Sequence, residues 1–325
     1  MNTTRSEAQI ITRSQFRKDI LCGLQARPKY LQAKYFYDHQ GDLLFQQIME
    51  MPEYYLTNAE MEIFSKQSTA IADLISRDKS AFDLIELGAG DATKSVHLLR
   101  ELMAGELEFS YLPIDISANV ISNLEDQLPN LLPGLDIKGL NGDYFEMLDK
   151  GIALSNRRKV VLFMGANIGN MEFKEAKSFC SMLSASLSKG DLLIIGFDLK
   201  KNPKQILAAY NDAQGITAAF NLNLLHRINK ELDADFNLQN FEHYPCYDPD
   251  SGACKSFLIS LKEQVVHIGA QNQIHFEANE PVFMEISQKY SLQEIEAMAM
   301  ATGFHFVSQF FDENKYLVDA VWVVD

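Results

Sequence analysis

The sequence predicts an α/β protein with a doubly wound, mostly parallel β-sheet and a second, inserted lobe. Short apolar runs that are typical of buried parallel strands alternate with helical patterns from residue 82 to residue 199. A glycine-containing loop follows the first apolar run. The alternation then stops, and residues 200–281 carry a different pattern. When a helix follows each strand, it carries the chain back to the same end of the sheet, so successive strands run parallel. Residues 82–199 therefore predict a parallel sheet, and residues 200–281 predict an insertion.

Seven strands are predicted for the main sheet. They lie at residues 82–87, 109–115, 135–140, 159–164, 191–199, 305–311 and 317–324. We expect the last strand to be antiparallel. Within the insertion, helical spacing runs through Ile206, Tyr210 and Phe220 and is followed by two hairpin-like pieces, SFLISLKEQVVHI and QIHFEA. These boundaries predict one domain at 60–199 plus 286–325 and a second lobe at 1–59 plus 200–285.

Composition limits the classes of partner. The formal net charge of −15 opposes binding to the phosphate backbone of a nucleic acid, so we expect a small-molecule substrate. The N-terminus has no apolar signal core, and no run has the length needed to cross a bilayer. The cysteines lack C-x-x-C spacing, which disfavours a zinc site and a disulfide framework: Cys22, Cys180, Cys246 and Cys254. We therefore expect a cytoplasmic monomer that binds neither nucleic acid nor membrane.

The glycine loop of FDLIELGAGDATK, residues 82–94, predicts a nucleotide-type ligand site. Gly88 and Gly90 follow a buried strand and precede a helix, where exposed backbone N–H groups favour a bound anion. The loop lacks both G-x-G-x-x-G and the terminal G-K-[ST] of a P-loop. This spacing disfavours a dinucleotide-dependent oxidoreductase, while an ordinary tight turn stays an alternative.

Polar residues follow three further predicted strands. Asp115 ends the second strand and suits a pair of ribose hydroxyls, although it could instead cap the helix that begins near Ser117. Asp143 could accept the exocyclic amine of an adenine or could be a turn carboxylate. The segment GANIGN places Asn170 at the end of the fourth strand. Open α/β sheets bind ligands at these carboxyl ends.

Tyrosines are unusually frequent before the glycine loop. Tyr35, Tyr37, Tyr54 and Tyr55 lie in joints between helical segments. A phenol offers an apolar face and a hydroxyl, so these residues could either pack or bind a ligand. The residue pattern alone favours packing.

From Tyr35 onward the chain resembles the histidine Nα-methyltransferases of ergothioneine biosynthesis, and ELGAG resembles the first motif of class I S-adenosylmethionine methyltransferases in general. Several of the matching segments lie in the insertion, which distinguishes this family from other methyltransferases. The matching segments are YDHQGDLLFQQIMEMPEYYLTNAE, ELGAGDATK, IDIS, GDYF, GANIGN, AYNDAQGITAAFN and FMEISQKY. The resemblance implies a class I, Rossmann-like methyltransferase domain with an α+β substrate-binding lobe.

By this resemblance, the methyl donor is S-adenosylmethionine, no metal is needed, and the chain is an enzyme. The donor would be held by Gly88, Lys94, Asp115, Asp143 and Tyr144. Asn170 and Tyr210 would bind the α-carboxylate of an amino acid, with Tyr54 lining the pocket. Tyr37 and the Gly165 carbonyl would face the α-amine. Glu285 and Ser287 would bind an imidazole.

The resemblance also implies a product. Aromatic faces still attract a quaternary ammonium that can no longer donate hydrogen bonds, so the tyrosines favour a trimethylated betaine. One residue departs from the family, because Ser256 stands where the characterised histidine enzymes place a methionine against the substrate ring. A smaller side chain would leave room for another aromatic amino acid such as tryptophan. A protein that binds the donor without catalysis is a further alternative.

Overall fold

The computed structural model describes residues 3–105 and 108–325. The chain divides into two compact units. Unit 1 combines Met1–Tyr55 with Lys201–Ser287, and unit 2 combines Leu56–Lys200 with Gln288–Asp325. The insertion that interrupts the strand pattern therefore belongs to unit 1, together with the N-terminal segment.

Helices in the described residues are numbered α1 to α10 in chain order. They are Thr3–Gln25, His39–Glu50, Tyr55–Ile75, Ser95–Ala104, Ala118–Leu131, Tyr144–Ile152, Phe173–Ser186, Pro203–Ala208, Ile216–Leu232 and Leu292–Ala301. None of the helices in this part of the chain combines the length and apolarity required of a membrane span.

Strands are numbered β1 to β13 in the same way. They are Lys29–Tyr30, Phe82–Leu87, Phe109–Asp115, Leu140–Asn141, Arg158–Phe163, Leu192–Asp198, Phe241–Tyr247, Ala253–Ser260, Gln264–Ile268, Asn272–Phe276, Pro281–Gln288, Phe304–Phe311 and Leu317–Val324.

Unit 2 contains a seven-stranded sheet in the order β12-β13-β6-β5-β2-β3-β4. Strands β2 to β6 are parallel to one another, and β13 is antiparallel to both β6 and β12. Every residue of β2 and β6 is buried, as expected for strands covered on both faces. The predicted doubly wound, mostly parallel sheet with an antiparallel last strand is confirmed, and with it the class I methyltransferase fold.

The predicted third strand is much shorter than expected. Residues 135–140 were predicted as a strand, but β4 begins only at Leu140, and Ile137 forms an isolated bridge to Tyr111. Tyr111 exchanges hydrogen bonds of 2.7 and 2.9 Å with the residues on either side of Ile137. Pro113 of β3 has no N–H to donate to the next carbonyl, so the ladder is interrupted before β4.

Unit 1 contains two smaller sheets. The larger has the order β1-β11-β8-β7, with β1 parallel to β11 and β7 antiparallel to β8, and the smaller pairs β9 with β10. Helix α9 buries Phe220, Leu224 and Ile228 in the same apolar cluster as Met284 of β11. The predicted hairpin SFLISLKEQVVHI is wrong as a pairing, because its halves, β8 and β9, lie in different sheets.

Candidate active site

The carboxyl ends of β2 and β3 bring the glycine loop and Asp115 together. The Gly88 N–H donates to the Ile114 carbonyl at 2.8 Å, and the Gly90 N–H donates to Asp115 Oδ2 at 3.3 Å. Gly88 and Gly90 have φ values of +73° and +55°, which glycine adopts without the strain of a side chain. The loop that sequence pattern alone could not distinguish from a tight turn is thus fixed to the predicted ribose-binding carboxylate.

Asp115 is not the helix cap that the alternative interpretation required. Its Oδ1 accepts from the Ser117 N–H at 2.8 Å, whereas Ser117 itself caps α5 by accepting from the Val120 N–H. A carboxylate has about four lone-pair positions, so the two contacts of Asp115 leave acceptor capacity for a pair of hydroxyls. The Asn141 amide donates to the Asp115 and Ile116 carbonyls and fixes the strand end.

Tyr144 lies against Gly88. A Cβ atom on Gly88 would come within 2.7 Å of the Tyr144 hydroxyl oxygen, so only glycine fits beside this phenol. Burial, together with the negative charges of Asp115 and Asp143, raises the pKa of Tyr144, which keeps the hydroxyl protonated. Asp143 caps α6 by accepting from the Phe145 N–H at 3.0 Å. The turn carboxylate of the plainer interpretation is present, with Oδ2 available for another donor.

Lys94 and Gly165 share one carboxylate. Lys94 precedes α4, and its ammonium donates to Glu60 Oε2, while the Gly165 N–H donates to Glu60 Oε1 at 2.6 Å. Glu60 lies on α3 and is 1% exposed. Burial alone would lower the pKa of Lys94, but the Glu60 charge and hydrogen bond outweigh it and the pKa is raised. Lys94 is therefore a cation with a fixed direction.

The segment after β5 is a tight turn with an unusual backbone. Gly165 and Ala166 have φ values of +76° and +52°, and a short 3₁₀ helix, Asn167–Asn170, follows. Residues other than glycine rarely adopt this left-handed backbone conformation, so Ala166 carries strain of about 1 kcal/mol or more. Gly165 and Asn170 are both exposed. Strain of this kind tends to occur where a ligand is bound.

Two buried acids beside Glu60 were missed by the sequence analysis. Glu86 accepts from the Ser95 and Tyr111 hydroxyls, both at 2.6 Å, and burial raises its pKa despite those bonds. Asp319 is fully buried, and among the described residues neither of its oxygens has a hydrogen-bond partner. Burial, and then the Glu60 charge, raise the pKa of Asp319. The available signal was an acid inside each of the apolar runs FDLIEL and LVDAVWVV.

In unit 1 the structure joins three of the predicted substrate residues. The Tyr210 hydroxyl donates to Ser287 Oγ at 2.7 Å, and the Tyr54 ring lies edge-on to the Tyr210 ring at 6.4 Å. Glu285 lies two residues before Ser287 on β11, and the Asn221 amide of α9 approaches its Oε1 at 3.5 Å. Tyr210 and Ser287 come from segments 77 residues apart, so the tertiary fold creates this group.

The position of Tyr210 is fixed by its neighbours. Asp212 accepts from the Ile216 and Thr217 N–H groups at the start of α9. Burial works to raise the pKa of Asp212, but these hydrogen bonds prevail and lower it, so the carboxylate is charged where the helix N-terminus favours it. The His243 ring lies 3.0 Å from the Tyr210 carbonyl through Nε2, and burial lowers the pKa of His243. A neutral His243 that donates from Nε2 fits this contact.

Tyr37 and Ser256 lie in different surroundings. The Tyr37 ring is 49% exposed and lies edge-on to the Phe45 and Phe220 rings at 5.6 and 5.7 Å, so aromatic packing is part of its role. The next residue, Asp38, caps α2. Ser256 is 1% exposed on β8, the strand beside β11.

Comparison with known proteins gives one consistent result. The family model for S-adenosylmethionine-dependent, histidine-specific methyltransferases matches residues 16–324. Histidine N-alpha-methyltransferase from Mycolicibacterium smegmatis is 35% identical over 288 residues, 88% of each chain. The enzyme of the same name from Mycobacterium tuberculosis is 35% identical over 298 residues, 91% of each chain. L-tryptophan methyltransferase from Psilocybe serbica is 26% identical and covers 92% of this chain and 90% of its own length.

Proposed function

Because this chain belongs to the family of S-adenosylmethionine-dependent, histidine-specific methyltransferases, we propose that it methylates the α-amine of free L-histidine, to the trimethyl betaine hercynine. The chain is an enzyme of the methyltransferase class, and S-adenosylmethionine supplies the methyl group. Unit 2 would bind the donor, and unit 1 would supply the substrate-binding lobe.

The donor-binding role is proposed for the predicted residues at the strand ends. Gly88 has no side chain that would displace the Tyr144 hydroxyl or cover the backbone, and Asp115 keeps acceptor capacity for ribose hydroxyls. Asp143 keeps one oxygen for the adenine amine, and Lys94 offers a directed cation for the donor carboxylate. In each role, the orientation of the binding group is already fixed by other contacts, so the group could hold the donor in a defined position.

The substrate-binding role rests on the contact between Tyr210 and Ser287. This 2.7 Å hydrogen bond joins the residue proposed for the carboxylate to the strand that carries Glu285, the residue proposed for the imidazole N–H. Asn170 would be the second carboxylate ligand, and Tyr54 would line the pocket. That contact is the observation that carries the proposal, because it joins Tyr210, proposed for the carboxylate, to Ser287, proposed for the ring.

The chemistry needs little beyond this arrangement. A sulfonium carries an activated methyl group, so the residues must present a neutral amine in line with the S–CH₃ bond. Tyr37 and the Gly165 carbonyl would face that amine and accept its N–H groups. Well-oriented reacting groups gain an effective molarity on the order of 10⁵ M, several kcal/mol of barrier. After the first and second transfers the nitrogen would release a proton to solvent and become neutral again, while S-adenosylhomocysteine leaves. The third transfer gives a quaternary ammonium with no proton to lose, and the tyrosine faces would hold this cation.

Ser256 favours a second candidate substrate. In place of the family's methionine it offers a small side chain on β8, and a relative with high coverage is named for tryptophan methylation. Indole, like imidazole, has an N–H that Glu285 could accept. A larger aromatic amino acid is thus the alternative.

The test is mass spectrometry after incubation with S-adenosylmethionine and a panel of free amino acids. We expect histidine to gain one, two and then three methyl groups, and Glu285→Ala to lower kcat/KM for histidine by roughly 10- to 100-fold while donor affinity changes little, because one charged hydrogen bond is lost. Glu242→Ala, at an exposed position of β7, is the matched control. Faster methylation of tryptophan would select the alternative, and donor binding without methylation of any amino acid would contradict both.

A further inference from the structure

Glu60 connects two loops that the proposed reaction uses separately. Its Oε2 accepts from the Lys94 ammonium, and its Oε1 accepts from the Gly165 N–H at 2.6 Å. Lys94 belongs to the loop after β2, and Gly165 to the turn after β5. A carboxylate is an acceptor at both oxygens, so it can satisfy two donors at once, whereas an amide would present a donor to one of them.

The turn at Gly165 has a strained backbone, whose geometry depends on contacts with neighbouring residues. Gly165 and Ala166 both have positive φ values, and strained backbone of this type persists only when neighbouring contacts determine it. The Glu60 hydrogen bond fixes the first residue of the turn. The direction of the Gly165 carbonyl, proposed to face the amine, depends on this geometry.

Space for the carboxylate is built into the sheet. A Cβ atom on Gly196 of β6 would lie 2.7 Å from Glu60 Oε1 and 3.3 Å from Asp319 Oδ1. Gly196 lies outside the left-handed region, so its backbone conformation alone does not call for glycine. The room occupied by Glu60 and Asp319 explains the glycine instead.

Glu60, and not either of the two other acids near it, is the counter-ion of Lys94. Glu60 is 1% exposed, so its carboxylate is poorly screened by solvent. Burial and then the Glu60 charge raise the pKa of Asp319, which favours its neutral form. Glu86 accepts from two hydroxyls instead of the lysine. The ammonium of Lys94 therefore takes its direction from Glu60.

We infer that Glu60 is a positioning residue, which holds the Lys94 ammonium for the donor and the Gly165 turn for the amine through a single carboxylate. This inference rests on the proposed donor-binding role of Lys94 and the proposed role of Gly165. It predicts that the two loops lose their proper geometry together when that carboxylate is altered.

The first experiment measures S-adenosylmethionine affinity by calorimetry for the full chain carrying Glu60→Gln. We expect the dissociation constant to rise roughly tenfold or more, because the amide cannot accept from both donors and carries no charge. In a Lys94→Met background the same substitution should change the constant less than about twofold, since the partner through which it acts is gone. Even at saturating S-adenosylmethionine, the kcat of Glu60→Gln should stay below the wild-type value, because the turn at Gly165 has also lost the hydrogen bond that fixes it.

Glu62→Gln is the matched control. Glu62 lies two residues along the same helix and pairs with Lys66 on the exposed side, so we expect no change in donor affinity or in kcat. A drop in melting temperature for Glu60→Gln with unchanged donor affinity and unchanged kinetics would overturn the inference. Equal effects of Glu60→Gln with and without Lys94 would overturn it as well.

Gly196→Ala provides an independent variant if Glu60→Gln does not fold. Its added methyl group displaces the Glu60 carboxylate without changing any charge, so we expect donor affinity to fall in the same direction. Unchanged affinity in this variant would contradict the inference. The calorimetric titration does not depend on the amino-acid substrate, so a wild-type protein that binds the donor but leaves histidine unmethylated would refute the proposed substrate and still test the coupling of Glu60 to Lys94.

Discussion

Buried charged groups have different hydrogen-bond partners at the two ends of the unit 2 sheet. At the amino ends of β2 and β5, the Lys159 ammonium donates to Asp83 at 2.7 Å and to the Ser155 and Arg157 carbonyls, both at 2.9 Å. At the carboxyl ends, the Lys94 ammonium donates to Glu60, while the nearby carboxyl of Asp319 has no hydrogen-bond partner in the described part of the chain. One lysine is fully satisfied, and the other belongs to an incomplete network.

The difference indicates which charged groups serve the fold and which serve a ligand. A buried polar group without a partner costs free energy, so most are paired unless function requires otherwise. The amino ends carry closed hydrogen-bond sets, which stabilise the sheet. The carboxyl ends keep raised pKa values at Glu86 and Asp319 and an exposed, strained turn, which is the pattern of a site that a ligand completes.

The largest expected effect separates the two lysines. Lys159→Met removes the close partner of buried Asp83 and leaves only Arg157, at 3.9 Å, as a counter-charge. We therefore expect it to lower the free energy of unfolding by about 3 kcal/mol, while the donor affinity of the protein that stays folded does not change. Lys94→Met also leaves a buried carboxylate, Glu60, without its counter-charge, so we expect a comparable loss of stability, and in addition S-adenosylmethionine binding that is weaker by roughly tenfold or more. Urea unfolding and calorimetric titration measure the two quantities.

The outcome that would break this contrast is an exchange of the two effects. If Lys159→Met weakened donor binding while Lys94→Met only destabilised the protein, the amino ends would hold the ligand. Lys174→Met, on the exposed start of α7, is a control that should change neither quantity.

A smaller effect is expected for glycines at the two ends. Gly88 and Gly190 have φ values of +73° and +90°, so an alanine strains both by about 1–2 kcal/mol. Only at Gly88 would the new Cβ meet another atom, the Tyr144 hydroxyl at 2.7 Å, whereas Gly190 has open space within 4 Å. We expect a larger loss of thermal stability for Gly88→Ala than for Gly190→Ala, and a loss of donor affinity for Gly88→Ala alone.

A double variant sharpens this result. Tyr144→Phe removes the oxygen that the Gly88 Cβ would meet, so Gly88→Ala should cost less stability in that background than in the wild type. Equal costs in both backgrounds would show that backbone strain, and not the contact with Tyr144, accounts for the effect.

Sequence pattern predicted the parts of unit 2 that are local. Apolar runs identified the central strands, and the positions after them identified Gly88, Asp115 and Asp143, because the carboxyl ends of parallel strands meet at one edge. Glu60 could not be found in this way. Its contact with Gly165 spans 105 residues, and on a helix its pattern is that of an ordinary surface acid.

The failed predictions have the same origin. Residues 135–140 have the apolar spacing of a strand, but the neighbouring strand β3 carries Pro113, which cannot donate to the ladder, and the periodicity of one segment does not reveal its partner. The strands β8 and β9 were identified, but each pairs with its other neighbour in sequence, β8 with β7 and β9 with β10, in two local hairpins. The apolar pattern identifies segments, but it does not by itself decide which of two neighbouring strands a segment pairs with.

The smallest expected effect is a pH dependence at Asp319. Its native pKa is raised above 3.8, so the unfolded chain releases this proton first as the pH rises, and the free energy of unfolding falls until the pH passes the native pKa. Asp319→Asn has no such proton, so its stability relative to the wild type should increase with pH, by at most about 1.4 kcal/mol per pH unit. Urea unfolding at pH 5, 6 and 7 measures the slope. Asp83→Asn, at the opposite end, should instead lower stability at neutral pH because the buried Lys159 ammonium loses its counter-charge. A parallel response of the two variants would remove the distinction between the closed and the incomplete network.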